Sequence, residues 1–567
     1  MNRRHFARLA AISGASPFAA RRFGDVLTES LDDDEITVDT IAWAERIAGL
    51  SFTADQRRAM LEDVISNRDK YEEGRQRPLA NGTIPAFRFD PSMYSSARPQ
   101  HEGSSRWSAP TPRKPAASDN IAFMTISELG YLLRNSTLTS VELTTICLDR
   151  LRRYDPILEC VVSLTETRAI EKARLADDEL ARGIDRGPLH GIPYGAKDLL
   201  SVSGYRTTWG ATPYKDQRIE ETAEVVRRLD EAGAVLVAKL TLGALAWGDV
   251  WYGGRTNSPW NIDRGSSGSS AGPGSAVAAG LLPFAIGSET LGSIVSPSTR
   301  NGVTGHRPTF GAVSRYGAMT LSWTMDKLGP MCRSAECCAI VFEAIRGHDP
   351  NDPTTVDQSF NFDASLDVSQ VRVGFVESAF SADESSYGNA AADMQTLSVL
   401  RKLGVNLIPV GLPEDLPLEM MLLALSVEAA AAFDNLIRSG ESSSMVRQDL
   451  WPDSMRTSRL VPAVEYVQAN RHRMDLMKSM DHVMREVDVF VSPSFRGGTL
   501  RITNLTGHPC VCIPNAFHQL EDDPASARRN PGSISFIGAL YRDDLMLSLA
   551  HAYQKSTDFH QRRPPIR

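Results

Sequence analysis

Several patterns that would assign a chemistry directly are missing from this sequence. Its seven cysteines include no Cys-X-X-Cys pair and no cysteine–histidine cluster with zinc-ligand spacing. No apolar stretch reaches the roughly 20 residues that a bilayer-spanning helix needs, and the best candidate, 276–288, is predicted to be a buried core segment. The sequence therefore predicts no disulfide framework, no metal or organic cofactor and no stable membrane insertion.

The sequence also has little net charge. Its 61 Lys and Arg against 69 Asp and Glu leave a formal charge of −8 on 567 residues. No basic domain or patch stands out, which argues against a nucleic-acid partner. Lysine itself is scarce, with ten residues in the chain. The length is compatible with two to four domains or with one large α/β enzyme.

The first residues predict export. Asn2-Arg3-Arg4-His5-Phe6-Ala7-Arg8 resembles a twin-arginine signal, and a short stretch of small residues follows at 9–20. We therefore predict an export signal over residues 1–22 and a periplasmic or otherwise exported protein. The alternative is a basic, disordered tail of a cytoplasmic protein.

The rest of the chain divides by composition into an extension and a compact body. Two amphipathic helices are predicted over residues 37–76, the second with a capping box that begins at Thr53. Residues 78–118 are rich in proline and serine, which predicts a linker or an irregular wrap. We assign residues 23–118 to this extension and residues 119–567 to a single compact domain.

Within this compact body, amphipathic helices alternate with short apolar segments. Buried strands are predicted at 234–238, 371–376 and 487–491, and a strongly apolar helix at 418–433. Such alternation is typical of an α/β fold in which helices cover both faces of a sheet.

Three segments hold residue types suited to catalysis. In the first, 187–198, Lys197 lies among small and apolar residues, where desolvation would lower the pKa of its amine; pairing with Asp198 is the structural alternative. The second, 264–275, is a Gly/Ser tract without the Gly-Lys-Ser/Thr ending of a phosphate-binding loop. The third, 287–294, is predicted to be a tight turn. In one interpretation the N–H groups of this turn bind an oxyanion. In the other, the segment is an ordinary turn between a helix and a strand.

Together these segments resemble the amidase signature family. That family's Gly-Gly-Ser-Ser-Gly-Gly-Ser tract and Asp-Thr-Gly-Gly-Ser-Ile turn correspond imperfectly to residues 267–275 and 289–294, with 24 residues from Ser269 to Ser293. Further similar segments lie at 125–129, 138–143, 187–193, 305–311, 314–317, 325–331, 504–509 and 550–554. The resemblance covers about 123–565. It implies a single large domain with a mixed central sheet between helices, and hydrolysis of a small-molecule amide without a cofactor.

The resemblance also implies a role for each site residue. Ser293 would attack the amide carbonyl and form an acyl-enzyme. Ser269, which follows a cis peptide bond from Gly268, would relay the proton to Lys197, and Ser270 would hold the lysine in place. The backbone N–H groups of the oxyanion hole would be those of Thr290, Leu291, Gly292 and Ser293. The oligomeric state stays open, with a homodimer as one option.

The sequence departs from the family at several of these positions. Leu291 stands where glycine is usual, so a requirement for positive φ would strain it and distort the oxyanion hole. Glu289 replaces the usual aspartate and Val295 a common arginine, and Ala271 and Pro273 alter the Gly/Ser tract. Because the three catalytic residues are present, an active amidase is favoured over a catalytically dead homologue.

Two other functions remain open. Residues 268–272 fit the Gly-X-Ser-X-Gly motif of an α/β-hydrolase with Ser270 as nucleophile, although residues 257–267 do not predict the strand that must precede it. The candidates for the histidine base of such an enzyme are His306, His508 and His551. Within the family, the chain could be the glutaminase component of a glutamyl-tRNA(Gln) amidotransferase (its A chain), which works with partner subunits; the export-like N-terminus and the extension argue against this.

Substrate contacts are expected from residues 240–260 and 415–475, where the resemblance is weakest. Four aromatic residues in the first of these segments either line an apolar pocket or pack in the core: Trp247, Trp251, Tyr252 and Trp260. The sequence does not separate these two alternatives, because both need the same residue types.

Overall fold

The computed structural model describes residues 36–95, 103–381 and 388–566. The predicted export signal, 1–22, lies outside these described residues. By compactness the chain divides into two units, Met1–Leu79 and Ala80–Arg567. The boundaries drawn from composition at residues 22 and 118 stay predictions.

The described part of the first unit contains two helices, α1 (Val38–Ala48) and α2 (Ala54–Arg75). Each begins after a threonine, Thr37 or Thr53, that forms reciprocal capping hydrogen bonds with the third helical residue. The capping box predicted at Thr53 is confirmed. No residue of the second helix is fully buried, but its half-buried positions 57, 60, 61, 64 and 65 recur every three to four residues and so lie on one face, as predicted.

The second unit is built around an eleven-stranded sheet. With two short hairpins, its strands are β1 (Val161–Leu164), β2 (Pro193–Lys197), β3 (Val235–Leu240), β4 (Val250–Trp251), β5 (Gly254–Arg255), β6 (Asn257–Ser258), β7 (Asn261–Gly265), β8 (Phe284–Glu289), β9 (Thr304–Arg307), β10 (Lys327–Cys332), β11 (Val373–Val376), β12 (Leu407–Val410), β13 (Val489–Pro493), β14 (Cys510–Gln519) and β15 (Arg529–Gly538). Its α-helices are α3 (Ser118–Ile121), α4 (Ile126–Arg134), α5 (Ser140–Leu158), α6 (Glu166–Ala181), α7 (Glu224–Glu231), α8 (Ala271–Ala278), α9 (Val295–Asn301), α10 (Ala335–Ile345), α11 (Glu377–Phe380), α12 (Ala390–Lys402), α13 (Leu418–Met421), α14 (Leu423–Ala432), α15 (Asp434–Arg438), α16 (Asp453–Ser458), α17 (Ala463–Glu486), α18 (Thr499–Thr506) and α19 (Asp543–Lys555).

The main sheet is mixed, as the resemblance implied. Its strand order is β1-β3-β2-β8-β10-β9-β14-β15-β13-β11-β12. The central pairs β3–β2 and β2–β8 are parallel, and so are β13–β11 and β11–β12. The other neighbouring pairs are antiparallel.

Helices cover both faces of this sheet, as the alternation of core residues along its strands shows. In β8, Phe284 and Ile286 belong to one hydrophobic cluster and Ala285, between them, belongs to another. Successive side chains of a strand point to opposite faces, so each face packs into a core of its own. The α/β fold predicted from the sequence is therefore confirmed.

Most predicted elements occur, with shifted ends. The strands expected at 234–238, 371–376 and 487–491 are β3, β11 and β13. The single helix expected at 418–433 is wrong: the chain breaks there into α13 and α14. The prediction that residues 257–267 form no strand is also wrong, because β6 and β7 form a hairpin there. Most of β7 is exposed, so it has no apolar alternation by which the sequence could reveal it.

Three features are absent from the described residues. No helix among them is long and apolar enough to cross a bilayer. They contain no group of three or more His, Cys, Asp or Glu side chains placed to hold a metal ion. All seven cysteines are buried and none of them forms a disulfide.

Candidate active site

The three predicted segments meet where two adjacent parallel strands end. Lys197 is the last residue of β2, and Ser288 and Glu289 are the last residues of β8. In the register of β2 and β8, Ala196 pairs with Ile286. Because the carboxyl ends of parallel strands lie at one edge of a sheet, Lys197 is brought beside Ser288. The Gly/Ser tract, which continues into the first turn of α8, lies against the same edge through Ser270.

Lys197 contacts three serine hydroxyls. Its Nζ lies 2.8 Å from Ser269 Oγ, 3.0 Å from Ser270 Oγ and 2.8 Å from Ser288 Oγ. The Ser288 carbonyl oxygen lies at 3.4 Å from the same atom. The predicted contacts with Ser269 and Ser270 are therefore present, and the contact with Ser288 is one that the sequence reasoning missed.

The surroundings of Lys197 favour a neutral amine. The residue is 0% exposed, and this burial lowers its pKa well below the usual value, although the carboxylates of Asp326 and Glu289 act in the opposite direction. The neighbouring carboxylate of Asp198 instead forms an ion pair with Lys239, at 2.6 Å. The alternative in which Asp198 pairs with Lys197 is therefore wrong, since consecutive side chains of an extended segment point in opposite directions.

Ser270 and Ser288 fix the Gly/Ser tract to the end of β8. Ser270 Oγ donates to the Ser288 carbonyl at 3.0 Å and accepts from the Ser288 N–H at 3.1 Å. A Cβ at Gly287 would lie 2.8 Å from Ser270 Oγ, so only glycine permits this approach. The feature of the sequence that could indicate Ser288 is its position in the third segment, at the end of a buried strand.

Ser293 lies beside these serines. Its carbonyl accepts a hydrogen bond from the Ser270 N–H at 3.1 Å, and its side chain is half-buried. The peptide bond between Gly268 and Ser269 is cis, as the resemblance implied. In the described part of the chain, no hydrogen bond joins the hydroxyls of Ser269 and Ser293. The structure thus brings Lys197, Ser269 and Ser270 into direct contact and places Ser293 next to them.

The turn at 290–293 presents backbone N–H groups. Among the described residues, none of the four N–H groups predicted for the oxyanion hole donates a hydrogen bond to the protein: Thr290, Leu291, Gly292 and Ser293. Positive φ in this turn belongs to Gly292, at +85°, and Leu291 is not among the non-glycine residues of positive φ. The strain predicted for Leu291 required positive φ at that residue, and it is therefore absent.

Glu289 anchors this turn, a role that the sequence reasoning missed. Its Oε2 accepts from the N–H groups of Ile294 and Val295, at 2.8 and 3.0 Å. Its Oε1 accepts from Arg307 Nη1 and Asn504 Nδ2, both at 2.9 Å. Burial opposes ionisation of Glu289, but Arg307 and the Val295 N–H outweigh it and hold its pKa at about 2. The only signal in the sequence was that a carboxylate stands just before the turn.

We expect Glu289→Gln to lower kcat by roughly 10- to 100-fold, because the N–H groups of the turn lose their anchor. The same change should lower the free energy of unfolding by about 3–5 kcal/mol, since Arg307 is left buried without its counter-charge. Steady-state kinetics and urea denaturation measure the two effects. The matched control is Glu343→Gln, which breaks the more exposed ion pair with Arg346 and should change stability by less than about 1 kcal/mol.

The pH dependence of stability gives a further check on Glu289. Its pKa is lowered from 4.5 to about 2, so its carboxylate stabilises the folded state above pH 4.5. This contribution is lost as the pH falls from 4.5 towards 2. Glu289→Gln should lack this part of the acid sensitivity. Equal behaviour of Glu289→Gln and Glu343→Gln would contradict the anchoring role.

The structure separates the four aromatic residues for which both a pocket and core packing were possible. Trp251 and Trp260 are only 9% and 5% exposed, and Trp260 packs against Phe517. Tyr252 is half-buried against Trp251. Trp247 differs from them, because 45% of it is exposed.

The histidines that an α/β-hydrolase would need either contact a different residue or are weak bases. His306 Nε2 lies 2.9 Å from Asp543. Burial lowers the pKa of His508 to about 3 and that of His551 to about 4. In the described part of the chain, none of the three is hydrogen-bonded to Ser270. The strand before the motif, β7, belongs to a separate hairpin and not to the main sheet.

Comparison with known proteins gives consistent results. A family model described as Amidase matches residues 142–517. The glutamyl-tRNA(Gln) amidotransferase A chain of Chloroflexus aggregans is 30% identical over 491 residues, which are 78% of this chain and 98% of that protein. A Mycobacterium bovis protein named as an amidase, AmiD, is 33% identical over 474 residues, with 79% and 97% covered. Among solved structures, the native peptide amidase from Stenotrophomonas maltophilia matches with a TM-score of 0.67 at 27% identity, over 78% of this chain and 98% of that one.

Proposed function

This chain belongs to the amidase family, whose model matches residues 142–517, and we propose that it hydrolyses carbon–nitrogen amide bonds through an acyl-enzyme on Ser293. The observation on which this mechanism rests is the buried Lys197 amine, 2.8 Å from Ser269 Oγ and without a carboxylate partner in the described part of the chain. Covalent labelling by a fluorophosphonate probe tests the assignment: the probe should modify Ser293 and leave Ser293→Ala unlabelled.

In the first step, Ser293 Oγ attacks the carbonyl carbon of the amide. Its proton passes to Ser269 Oγ, and the proton of Ser269 passes to the neutral amine of Lys197. The hydroxyls of Ser270 and Ser288, at 3.0 and 2.8 Å from Nζ, hold the amine in position. Catalytic hydrogen bonds often form only when substrate is bound, so a Ser269–Ser293 contact is expected in the complex.

The negative charge of the tetrahedral intermediate falls on the carbonyl oxygen. The N–H groups of Thr290, Leu291, Gly292 and Ser293 supply donors that have no other acceptor among the described residues. Glu289 keeps these donors fixed before the reaction begins, which is what makes such donors effective.

Collapse of the intermediate breaks the carbon–nitrogen bond. Because an amide anion is a poor leaving group, the proton held by Lys197 returns through Ser269 to the departing nitrogen. Water then attacks the acyl carbon, and its proton passes through Ser269 to Lys197. The ester bond to Ser293 breaks, the proton returns through Ser269 to Ser293 Oγ, and the acid product leaves as its carboxylate. Lys197 thus acts as base and then acid in each half of the cycle.

A second function is suggested by the relative from Chloroflexus aggregans, an amidotransferase A chain that this protein covers over 98% of its length. Such a protein would act with partner subunits. Ammonia release from amides by the purified chain alone favours the free-standing hydrolase. Glutamine hydrolysis that occurs only after partner subunits are added would favour the amidotransferase.

The α/β-hydrolase alternative predicts a catalytic histidine, whereas the Ser–Ser–Lys mechanism does not. We expect His306→Asn, His508→Gln and His551→Gln each to keep kcat/KM within about 10-fold of the wild type, since removing a general base costs more than that. Ammonia-release kinetics measure this, with circular dichroism to check folding. Loss of fluorophosphonate labelling in a folded histidine variant would favour the alternative.

The assignments outside the site remain proposals as well. We propose that residues 1–22 act as a twin-arginine export signal, on the basis of the paired arginines at positions 3 and 4. Residues 23–118 would form the extension and residues 119–567 the catalytic domain. The partner is a small-molecule amide.

A further inference from the structure

Trp247 is a large aromatic residue that the fold leaves exposed. It is 45% exposed, while Trp251 and Trp260 are buried. Its ring meets that of Trp451 edge to face, with centroids 5.5 Å apart and an interplanar angle of 80°. Trp451 is itself buried. One side of the indole is therefore fixed by packing, and much of the rest is free to contact a ligand.

The backbone holds Trp247 next to the catalytic serines. The following residue, Gly248, packs so closely on Gly268 that a Cβ on Gly268 would lie 1.8 Å from the Gly248 carbonyl oxygen. Gly268 directly precedes Ser269. One residue further, the Asp249 carboxylate accepts a hydrogen bond from the Ser267 N–H at 2.8 Å. The segment that contains Trp247 thus packs against, and is hydrogen-bonded to, the tract that contains Ser269.

The backbone around Trp247 is strained. Leu245 and Ala246, which directly precede it, have φ of +50° and +62°, and Ser267 on the neighbouring tract has +59°. Side chains with a Cβ disfavour this left-handed region. Leu245 also donates its N–H to the carbonyl of Trp209, another residue of positive φ. Strain of this kind persists only where the surrounding structure enforces it, and it is concentrated at active sites and ligand-binding segments.

We propose that Trp247 is a substrate-binding residue and that the substrate is an amide whose acyl group contains a flat, uncharged group, such as an aromatic ring, that packs on the exposed indole. Covering this surface removes apolar area from water and adds ring–ring contact. The buried Trp251 and Trp260 do not offer such a surface. The inference rests on the proposed function, since it takes Ser293 as the attacking group.

The test compares phenylacetamide with acetamide. Both are primary amides that release ammonia, so the leaving group and the assay are shared and the ring is the main difference. Wild-type protein should hydrolyse phenylacetamide with a kcat/KM at least about 10-fold above that for acetamide. Trp247→Ala should lose about 10- to 100-fold on phenylacetamide, mainly through KM, and less than about 3-fold on acetamide. Trp247→Phe should keep most of the preference.

The matched control is Trp43→Ala, which removes a 64% exposed tryptophan of the first unit and should leave both substrates unchanged. The inference is overturned if the wild type shows no preference for the ring, or if Trp247→Ala loses both substrates equally. Fluorophosphonate labelling separates this failure from failure of the proposed function. A labelled wild type without ring preference contradicts only the role of Trp247, and a wild type unlabelled at Ser293 contradicts the mechanism itself.

Discussion

Ser293→Ala should reduce amide hydrolysis by on the order of 10⁴-fold or more, because no other group can form the acyl-enzyme. The loss should fall on kcat and leave substrate binding almost unchanged. Fluorophosphonate labelling should disappear at the same time. The fold should be unaffected, because Ser293 is half-buried and its hydroxyl makes no hydrogen bond within the described residues. The expected change in the free energy of unfolding is below about 0.5 kcal/mol.

The matched control for this variant is Ser296→Ala, three residues further along the same segment. The Ser296 hydroxyl contacts Ser267 Oγ at 2.6 Å and not the lysine. We expect its kcat to stay within about 3-fold of the wild type, as for a contact that is not made to the reacting atoms. Full activity in Ser293→Ala would contradict the assignment of the nucleophile, and full labelling would show that another serine reacts.

Lys197→Met should lower kcat by roughly 10²- to 10⁴-fold, since the proton from Ser269 has no acceptor. Methionine keeps most of the side-chain volume and needs no charge to be buried. We therefore expect the variant to fold, as judged by circular dichroism and thermal denaturation. In the wild type, kcat/KM should fall as the pH drops through the lowered pKa of Lys197, because the protonated amine cannot accept a proton.

The sign of the stability effect also follows from the lowered pKa of Lys197. In the unfolded chain this amine is protonated up to its usual pKa, whereas the folded chain binds the proton less tightly. Because stability rises with pH wherever the unfolded state binds more protons, burying Lys197 makes the wild type less stable as the pH falls from the usual pKa to the lowered one. Lys197→Met should lack this dependence and gain stability relative to the wild type at lower pH.

Lys239 provides a contrasting control, since both lysines are fully buried but only Lys239 pairs with a carboxylate. Lys239→Met leaves Asp198 buried without its partner and should lower the free energy of unfolding by about 3–5 kcal/mol. If Lys197→Met were as destabilised as Lys239→Met, the amine of Lys197 would be a structural cation and not a proton acceptor.

The parts of the site that could be predicted are those that depend on local sequence. Lys197, Ser269 and Ser293 each stand in a segment with a distinct composition, and the order of the segments resembles a known family. The strands could be predicted because buried strands are short apolar runs. The hairpin formed by β6 and β7 could not be predicted, because most of β7 is exposed and shows no periodicity.

The parts that could not be predicted depend on which distant segments are neighbours. Ser288 contacts Lys197 because β2 and β8 lie side by side, although 91 residues separate these two residues. The anchoring of Glu289 by Arg307 and Asn504 likewise needs residues from β9 and α18. Trp247 and Trp260 look alike in sequence, and only the tertiary packing exposes one and buries the other.

The measurement that tests the central claim most directly is the rate at which a fluorophosphonate modifies Ser293, followed across pH in the wild type and in Lys197→Met. The account predicts a wild-type rate that rises with pH and levels off with an apparent pKa well below that of an ordinary lysine. In Lys197→Met, labelling should be slower and should lose this pH dependence. Equal rates and the same pH dependence in both proteins would show that the amine of Lys197 does not take the proton of Ser293.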